Sequence, residues 1–233
     1  VSAALEAVMS GRGPVLKAAA AWALLVWTGA GLATLAAEKP SCQLDRTLVV
    51  AKGAAGTRVT KFVTTHGEKP AAGTSALVRW DDEGLHVLFE CEDAAIVGQD
   101  RPRDGDEIWR DDSVEIFLDV GHTHDLNSQW CHVIISALGC VWDEQGGVTE
   151  YFGSGDPMGG YTDFDVKGLK AKTERIPQGW RADISIPWEG IGTRPSAGDA
   201  WGLNLNRTER PAGEHICFSP TFGSFYNIDQ WGH

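Results

Sequence analysis

Residues 75–120 contain short runs in which apolar and polar side chains alternate, and this alternation is the feature that most restricts the fold. A period of two places alternate side chains on opposite faces of a β-strand. Residues 81–84, an acidic turn that ends in Gly, separate two such runs and predict a β-hairpin. One face of the second run is apolar and consists of Leu85, Val87, Phe89 and Cys91.

Comparable runs recur along the rest of the chain, with Gly- and Pro-containing turns between them. They cover residues 113–120, 130–137, 140–144, 164–175, 179–188 and 201–210, with further candidate strands at 47–51, 58–64 and 217–222. After the N-terminal region, no segment has the 3.6-residue period of an amphipathic helix. The sequence therefore predicts an all-β protein, a single antiparallel β-sandwich of the jelly-roll or immunoglobulin-like kind.

The first 37 residues have the composition of a secretory signal peptide. Arg12 and Lys17 precede an apolar, Ala-rich stretch at residues 18–37, and a cleavage site is expected after Ala36 or Ala37. A membrane anchor is the alternative, because the stretch approaches the ~20 residues that a span requires. We expect a signal peptide at 1–37, an irregular linker at 38–57 and the sandwich at 58–233. The protein is then exported, to the periplasm or the extracellular space.

The charge balance excludes some classes of partner. The net charge is −12 and becomes −13 when residues 1–37 are removed, because that segment holds two basic residues and one acidic residue. Such a surface repels nucleic acids and anionic membranes. It suits neutral ligands such as sugars, or cations such as Ca²⁺, although solubility alone also explains it. We expect a monomer.

Five cysteines follow the predicted signal peptide, and their spacing indicates neither a zinc site nor a redox motif. Export permits disulfides, but an odd number leaves at least one cysteine unpaired. Cys91 and Cys131 fall within strand patterns, so we interpret them as small buried hydrophobic residues.

Trp109 is the most unusual aromatic residue because it lies in an acidic loop, residues 106–112, where a core position is not expected. The strand that follows carries Glu115 on the face opposite its aliphatic side chains. A sugar site needs a flat aromatic ring against the pyranose and carboxylates for the hydroxyl groups. Trp109 and Glu115 can supply both, although a Trp that covers the edge of the sandwich is the alternative.

Signals for catalysis and for metals are weak. Glu90, Asp112 and Glu115 are candidates for the carboxylate pair of a glycosidase, but the sequence does not set the distance between any two of them. A nucleophile elbow and nucleotide-binding glycine motifs are absent from the sequence. His122 and His124 in the segment GHTHD are candidate metal ligands, but their spacing of two residues is weak evidence for a metal site. A structural Ca²⁺ is expected without assigned ligands, with candidates at residues 81–83, 104–107 and Asp156.

Several motifs in order resemble the family 9 carbohydrate-binding modules. The hairpin VRWDDEGLHVLFECED at residues 78–93 is similar to the first hairpin of that family, and WRDDSVEIFLD at 109–119 resembles its most distinctive motif. Further similar segments are LGCVWD at 138–143, the stretch from Gly-Trp to Ile-Pro-Trp at 179–188, GDAWGLN at 198–204 and Ser-Pro at 219–220. The resemblance extends from about residue 58 to residue 232.

The resemblance implies a β-sandwich that binds saccharides between two aromatic side chains. Trp109 matches the first of these, Phe225 the second, and Glu115 the acidic residue that binds hydroxyl groups. Known sugar-binding members carry Arg and Asn on the strand after the motif, where this chain has Ile134 and Ser136, so Ser136 is the expected polar contact there. The resemblance also implies bound calcium. The family continues into a closing strand beyond the final Trp-Gly, so we expect this strand to be missing.

Four functional hypotheses follow. The first is non-catalytic binding of oligo- or polysaccharides by an exported module. The second is a glycoside hydrolase or an accessory domain of one, which leaves enzymatic activity uncertain. The third is a structural surface domain without a ligand. The fourth, a haem-binding sandwich, has little support because Met158 is the sole methionine after the signal segment.

Overall fold

The computed structural model describes residues 46–105, 107–146, 160–161 and 164–233. The described residues belong to one compact unit, Leu44–His233. The predicted signal peptide, the first part of the linker, Cys42 and Asp156 lie outside the described residues. No helix in the described part of the chain is long and apolar enough to cross a membrane.

Two antiparallel sheets form the described structure. The five-stranded sheet has the order β1-β3-β4-β10-β9, and the seven-stranded sheet has the order β2-β12-β11-β5-β6-β7-β8. The strands are β1 (Thr57–Val59), β2 (Val63–Thr64), β3 (Thr74–Trp80), β4 (Gly84–Glu92), β5 (Ser113–Asp119), β6 (Trp130–Ser136), β7 (Val141–Gly146), β8 (Gly160–Tyr161), β9 (Lys170–Ile176), β10 (Gly179–Pro187), β11 (Gly202–Glu209) and β12 (Glu214–Cys217).

The hydrophobic core lies between the sheets and is built from the apolar faces that the alternation predicts. Sheet-on-sheet packing removes these faces from water, which is the main stabilising term of such a fold. β4 and β10 pair over nine positions from Gly84↔Pro187 to Glu92↔Gly179, and β5 pairs with β6 and β11 on its two sides. Their inward residues include Val87, Phe89, Ile116, Val133, Ile184 and Leu205. The predicted all-β sandwich is confirmed.

Two local predictions were wrong, and one short element was not predicted. Residues 47–51 form no regular strand, although the Leu48 amide donates to the His233 carbonyl at 2.5 Å. The last predicted strand lies earlier, at Glu214–Cys217, because the chain turns after Ser219-Pro220 and Phe222 adopts a left-handed φ of 54°. A single helical turn, α1 (Trp188–Ile191), follows β10 and is too short to show a helical period in the sequence.

The four described cysteines are free thiols, and all are buried. Burial raises the pKa of Cys91 to about 12, and burial also raises the pKa of Cys131. Thiols of this kind are chemically inert because the reactive species is the thiolate. The interpretation of Cys91 and Cys131 as small hydrophobic core residues is confirmed.

Candidate functional site

The outer face of the seven-stranded sheet is covered in part by the chain that follows β12. Ile228 and Trp231 from this segment pack on Phe117 of β5 and Trp130 of β6. The indole N–H of Trp231 donates to the carbonyl of Phe225 at 2.7 Å, which fixes the backbone of that residue. The covering segment therefore leaves an open cleft beside it rather than closing over the whole face.

The cleft has a volume of about 580 Å³. Small-molecule sites in proteins commonly measure ~300–1,000 Å³. Trp109, Glu115 and Phe225, three of the four residues predicted for the site, line it together. The remaining lining residues are His132, Ile134, Trp142, Thr208, Arg210, His215, Gly223, Ser224 and Tyr226.

A short 3-10 turn, Ile108–Arg110, presents Trp109 at the rim of the cleft. Ile108 anchors this turn: it is 1% exposed and packs in a small cluster with Ile134, Cys140 and the partly buried Trp142. Trp109 itself remains 50% exposed. An anchored backbone with an exposed indole provides a flat apolar surface at little cost in side-chain ordering.

Glu115 belongs to a buried network of charged groups at the base of the cleft. Its Oε2 lies 2.9 Å from His132 Nε2, and its Oε1 accepts from the Thr208 hydroxyl at 3.4 Å. The other ring nitrogen, His132 Nδ1, lies 3.0 Å from Glu144 Oε1, which also accepts a hydrogen bond from the Tyr226 hydroxyl. Cross-strand pairing sets this arrangement, because His132 is opposite Glu144 and diagonal to Glu115.

Both ring nitrogens of His132 face carboxylate oxygens, and this arrangement favours the imidazolium because ionised carboxylates only accept hydrogen bonds. Burial lowers its pKa, but the hydrogen bonds and charges of Glu115 and Glu144 outweigh burial and raise the pKa overall. Phe117 stacks on the ring with centroids 3.7 Å apart and an interplanar angle of 13°. Phe117 and Glu144 hold the His132 ring, and the ring in turn fixes the position of the Glu115 side chain.

Phe225 also lines the cleft, and His215 of β12 contacts its ring edge-on, with the ring centroids 5.6 Å apart. Arg210, directly after β11, contributes a guanidinium whose Nε is buried and has no hydrogen-bond partner among the described residues. Sequence reasoning missed His132, Trp142, Arg210, His215 and Tyr226. The alternation of β6 and β12 places His132 and His215 on the outer face, but nothing in the sequence reveals that this face is covered.

Ser136 does not reach the cleft. It is completely buried, and its hydroxyl accepts a hydrogen bond from the Cys140 N–H at 3.1 Å in the turn between β6 and β7. Ile134, the other position where sugar-binding relatives are expected to differ, does line the cleft. The imagined catalytic carboxylates are also separated: Glu90 lies on the five-stranded sheet beside Arg58, whereas Glu115 lies on the seven-stranded sheet.

Two clusters, each of three carboxylates, provide the oxygen ligands that calcium prefers. The first consists of Asp93, Asp112 and Glu209, and the second of Asp104, Asp143 and Asp165. Within each cluster, one oxygen from each residue lies within 4.8 Å of the others. The second is already neutralised, since Arg103 forms ion pairs with all three of its carboxylates. The first keeps more of its negative charge, because Arg207 forms an ion pair with Asp93 alone. In this cluster, burial raises the pKa of Asp112. Two backbone amide hydrogen bonds lower that pKa, and the charges of Asp93 and Glu209 raise it further. These three residues would hold the expected calcium, which stays a prediction.

The same fold occurs in solved carbohydrate-binding modules. One, described as a carbohydrate binding module family 9 from Caldicellulosiruptor kristjanssonii in complex with cellotriose, is 17% identical with a TM-score of 0.57, and the match covers 79% of this chain and 90% of that chain. Another, from the same organism and in complex with glucose, is 18% identical with a TM-score of 0.56, covering 79% and 93%. None of the curated proteins matches this sequence.

A family model described as carbohydrate family 9 binding domain-like matches residues 50–218 of the 233. The matched region contains Trp109, Glu115 and the whole seven-stranded sheet. Phe225 and Tyr226 lie beyond the matched residues. The chain belongs to the carbohydrate family 9 binding domain-like family.

Proposed function

We propose that the protein binds saccharides, without cleaving them, in the cleft between Trp109 and Phe225. The observation that carries this proposal is that Trp109, Glu115 and Phe225, chosen from separate parts of the sequence, line one cleft. Family membership and the sugar complexes of the two structural neighbours support the ligand class.

Apolar contacts come from the walls of the cleft. Trp109 and Trp142 provide indole surfaces, and Ile134 and Phe225 extend the apolar lining. Pyranose rings have C–H faces that pack on aromatic rings, while their edges carry hydroxyl groups. A wall of this composition suits a neutral sugar better than a charged metabolite.

Hydroxyl groups of the ligand would meet the polar base of the cleft. Glu115 accepts hydrogen bonds, and its orientation is set by the imidazolium of His132. Arg210 supplies donors from the end of β11, including the buried Nε. Because sugar-binding relatives are expected to carry an Arg where this chain has Ile134, Arg210 would replace that cationic donor from the neighbouring side of the cleft.

The decisive test measures binding of glucose and cellotriose to the full chain by isothermal titration calorimetry. Two aromatic contacts and a few charge-assisted hydrogen bonds give an affinity on the order of micromolar to millimolar. Trp109→Ala is expected to weaken binding about ten-fold, corresponding to ~1.4 kcal/mol. Phe222→Ala is the control, because Phe222 is an aromatic residue of similar exposure, 48%, outside the cleft lining. Absence of binding across a broad saccharide panel would refute the proposal.

Hydrolysis is the competing outcome of the same experiment. If the purified protein releases reducing sugar from an oligosaccharide and Glu115→Gln does not, glycoside hydrolysis replaces binding as the proposed function. We expect no release, because Glu115 is paired with the His132 imidazolium and a second carboxylate at the separation that glycosidases use is not among the cleft-lining residues.

A further inference from the structure

The turn after β5 brings three histidines together at one end of the seven-stranded sheet, away from the residues that line the cleft. The Nε2 atoms of His122 and His124 lie 2.7 Å apart. The ring of His233, from the far end of the described chain, has its centroid 4.7 Å from that of His122. Three imidazoles from two separate segments thus converge on one small region.

The tautomer of His124 is fixed by its other nitrogen. Nδ1 lies 2.9 Å from the Ile228 carbonyl, which can only accept, so Nδ1 carries the proton. The lone pair on Nε2 therefore points at His122. A ring N–H donated to a backbone carbonyl is the usual way in which proteins orient a metal-binding histidine.

Asp119 holds the turn in place. Its Oδ1 accepts from the Thr123 hydroxyl at 2.9 Å and its Oδ2 from the His124 amide at 2.8 Å. Both His122 and His124 adopt left-handed backbone conformations, with φ of 54° and 53°. Such conformations are uncommon for residues other than Gly, although His adopts them more often than most.

The backbone of His233 is also held next to this turn. Its amide donates to the Arg46 carbonyl at 3.0 Å, and the preceding Gly232 carbonyl accepts from Leu203 at 2.7 Å. Nε2 of His233 lies 2.9 Å from the Thr47 hydroxyl, so metal binding through this nitrogen requires the side chain to rotate away from Thr47.

We propose that His122 and His124 bind a divalent transition-metal ion such as Zn²⁺ through their Nε2 atoms, with His233 as the third protein ligand. Neutral imidazole nitrogens are preferred ligands of Zn²⁺, Cu²⁺ and Ni²⁺. With Zn–N bonds of ~2.0–2.1 Å, tetrahedral coordination requires the nitrogens to separate to about 3.3 Å, which movement of the half-buried His122 ring allows.

The test titrates the full chain with ZnCl₂ by calorimetry in a non-coordinating buffer, and follows the ring nitrogens by ¹H–¹⁵N NMR. His122→Asn and His124→Asn are the variants, because Asn tolerates the left-handed backbone. His66→Asn, at an exposed histidine elsewhere on the surface, is the control. We expect one zinc site and zinc-dependent shifts of the His122 and His124 Nε2 signals. Either variant should bind zinc at least ~10-fold more weakly, because loss of a hydrogen bond that only orients a ligand already weakens metal binding by this factor.

Two results would overturn the proposal. The first is the absence of binding of Zn²⁺, Ni²⁺ or Cu²⁺ at millimolar concentration, which would leave only a hydrogen bond between the two rings. The second is zinc binding that both Asn variants retain, which would place the ion elsewhere. His122→Asn keeps the His124 to Ile228 hydrogen bond, so it remains informative if His124→Asn does not fold. Saccharide binding is measured separately and has no bearing on either result.

Discussion

The outer faces of the two sheets differ in how they treat charged side chains. On the five-stranded sheet, Arg58 pairs with Glu90 and Arg181 pairs with Glu174, and all four side chains are in contact with solvent. On the seven-stranded sheet, every residue of β5, β6 and β11 is buried, including Glu115 and His132. The sequences of the strands alternate in the same way, so alternation indicates which way a side chain points but not whether water reaches it.

The covering segment explains the difference. Residues after β12 and the 3-10 turn at Ile108–Arg110 lie over the seven-stranded sheet, whereas the described chain leaves the outer face of the five-stranded sheet largely open. A charge under cover must be paired and hydrogen-bonded, because unpaired burial costs far more than the same charge at a surface. The covered face therefore holds a buried, paired network of polar groups at the cleft, whereas the charged pairs of the open face are exposed to solvent.

The largest contrast is expected between two histidines, one on each outer face. His132→Ala leaves Glu115 and Glu144 buried without the positive charge between them, and we expect a loss of ~3–5 kcal/mol in the free energy of unfolding. His86→Ala is the matched variant on the five-stranded sheet, where His86 bonds to Asp81 and Ser185 at a half-buried position; we expect a loss below about 1 kcal/mol. Urea unfolding measures both. Equal losses would remove the distinction between the two faces.

A second contrast concerns apolar residues. Ile108→Ala opens a cavity beneath the turn that carries Trp109, and we expect a loss of ~2–4 kcal/mol together with weaker saccharide binding. Leu88→Ala, at a half-buried position on the open face, is expected to cost about 1 kcal/mol and to leave binding unchanged. Denaturant titration combined with calorimetry separates these effects. Unchanged saccharide affinity in Ile108→Ala would show that Trp109 does not depend on this anchor.

The pH dependence of stability tests the charge on His132. Its folded pKa is raised above the unfolded value of ~6.5, so its contribution is fully present below that value and is lost as the pH rises through the folded pKa. The free energy of unfolding of the wild type should fall more steeply than that of His132→Gln on the alkaline side of pH 6.5. Burial lowers the pKa of His215 and of His122, which acts in the opposite direction and is common to both proteins. Parallel curves would mean that His132 is neutral.

The smallest effect is expected for a surface ion pair on the open face. Arg181→Ala removes the partner of Glu174, and we expect a change of at most ~0.5 kcal/mol that disappears at high salt. Thermal unfolding at low and high ionic strength is sufficient to measure it. A loss comparable to that of His132→Ala would show that exposure does not weaken charge pairing on this sheet.

Much of the fold could be predicted from local patterns. The hairpin at residues 81–84, the strand of Glu115 and the core residues such as Phe89 and Ile116 follow from a period of two and from turn chemistry, which act over a few residues. Trp109 could be predicted as an exposed aromatic because an acidic loop is a poor environment for a core tryptophan. The bounds of strand 214–217 and the burial of Ser136 were harder to predict. The pairing of a strand near the sheet edge and the space around a turn both depend on segments that are distant in the sequence.

The sequence by itself predicted the class of fold, the direction of the side chains on the long strands and, through the family resemblance, Trp109, Glu115 and Phe225 as a set of site residues. Only the tertiary structure decided that they share a cleft, that His132 joins Glu115 to Glu144, and that His233 lies beside His122. The physical reason is the distance along the chain over which each effect acts. Periodicity and turn preferences are local, whereas the environment of a side chain is set by residues on other strands and segments.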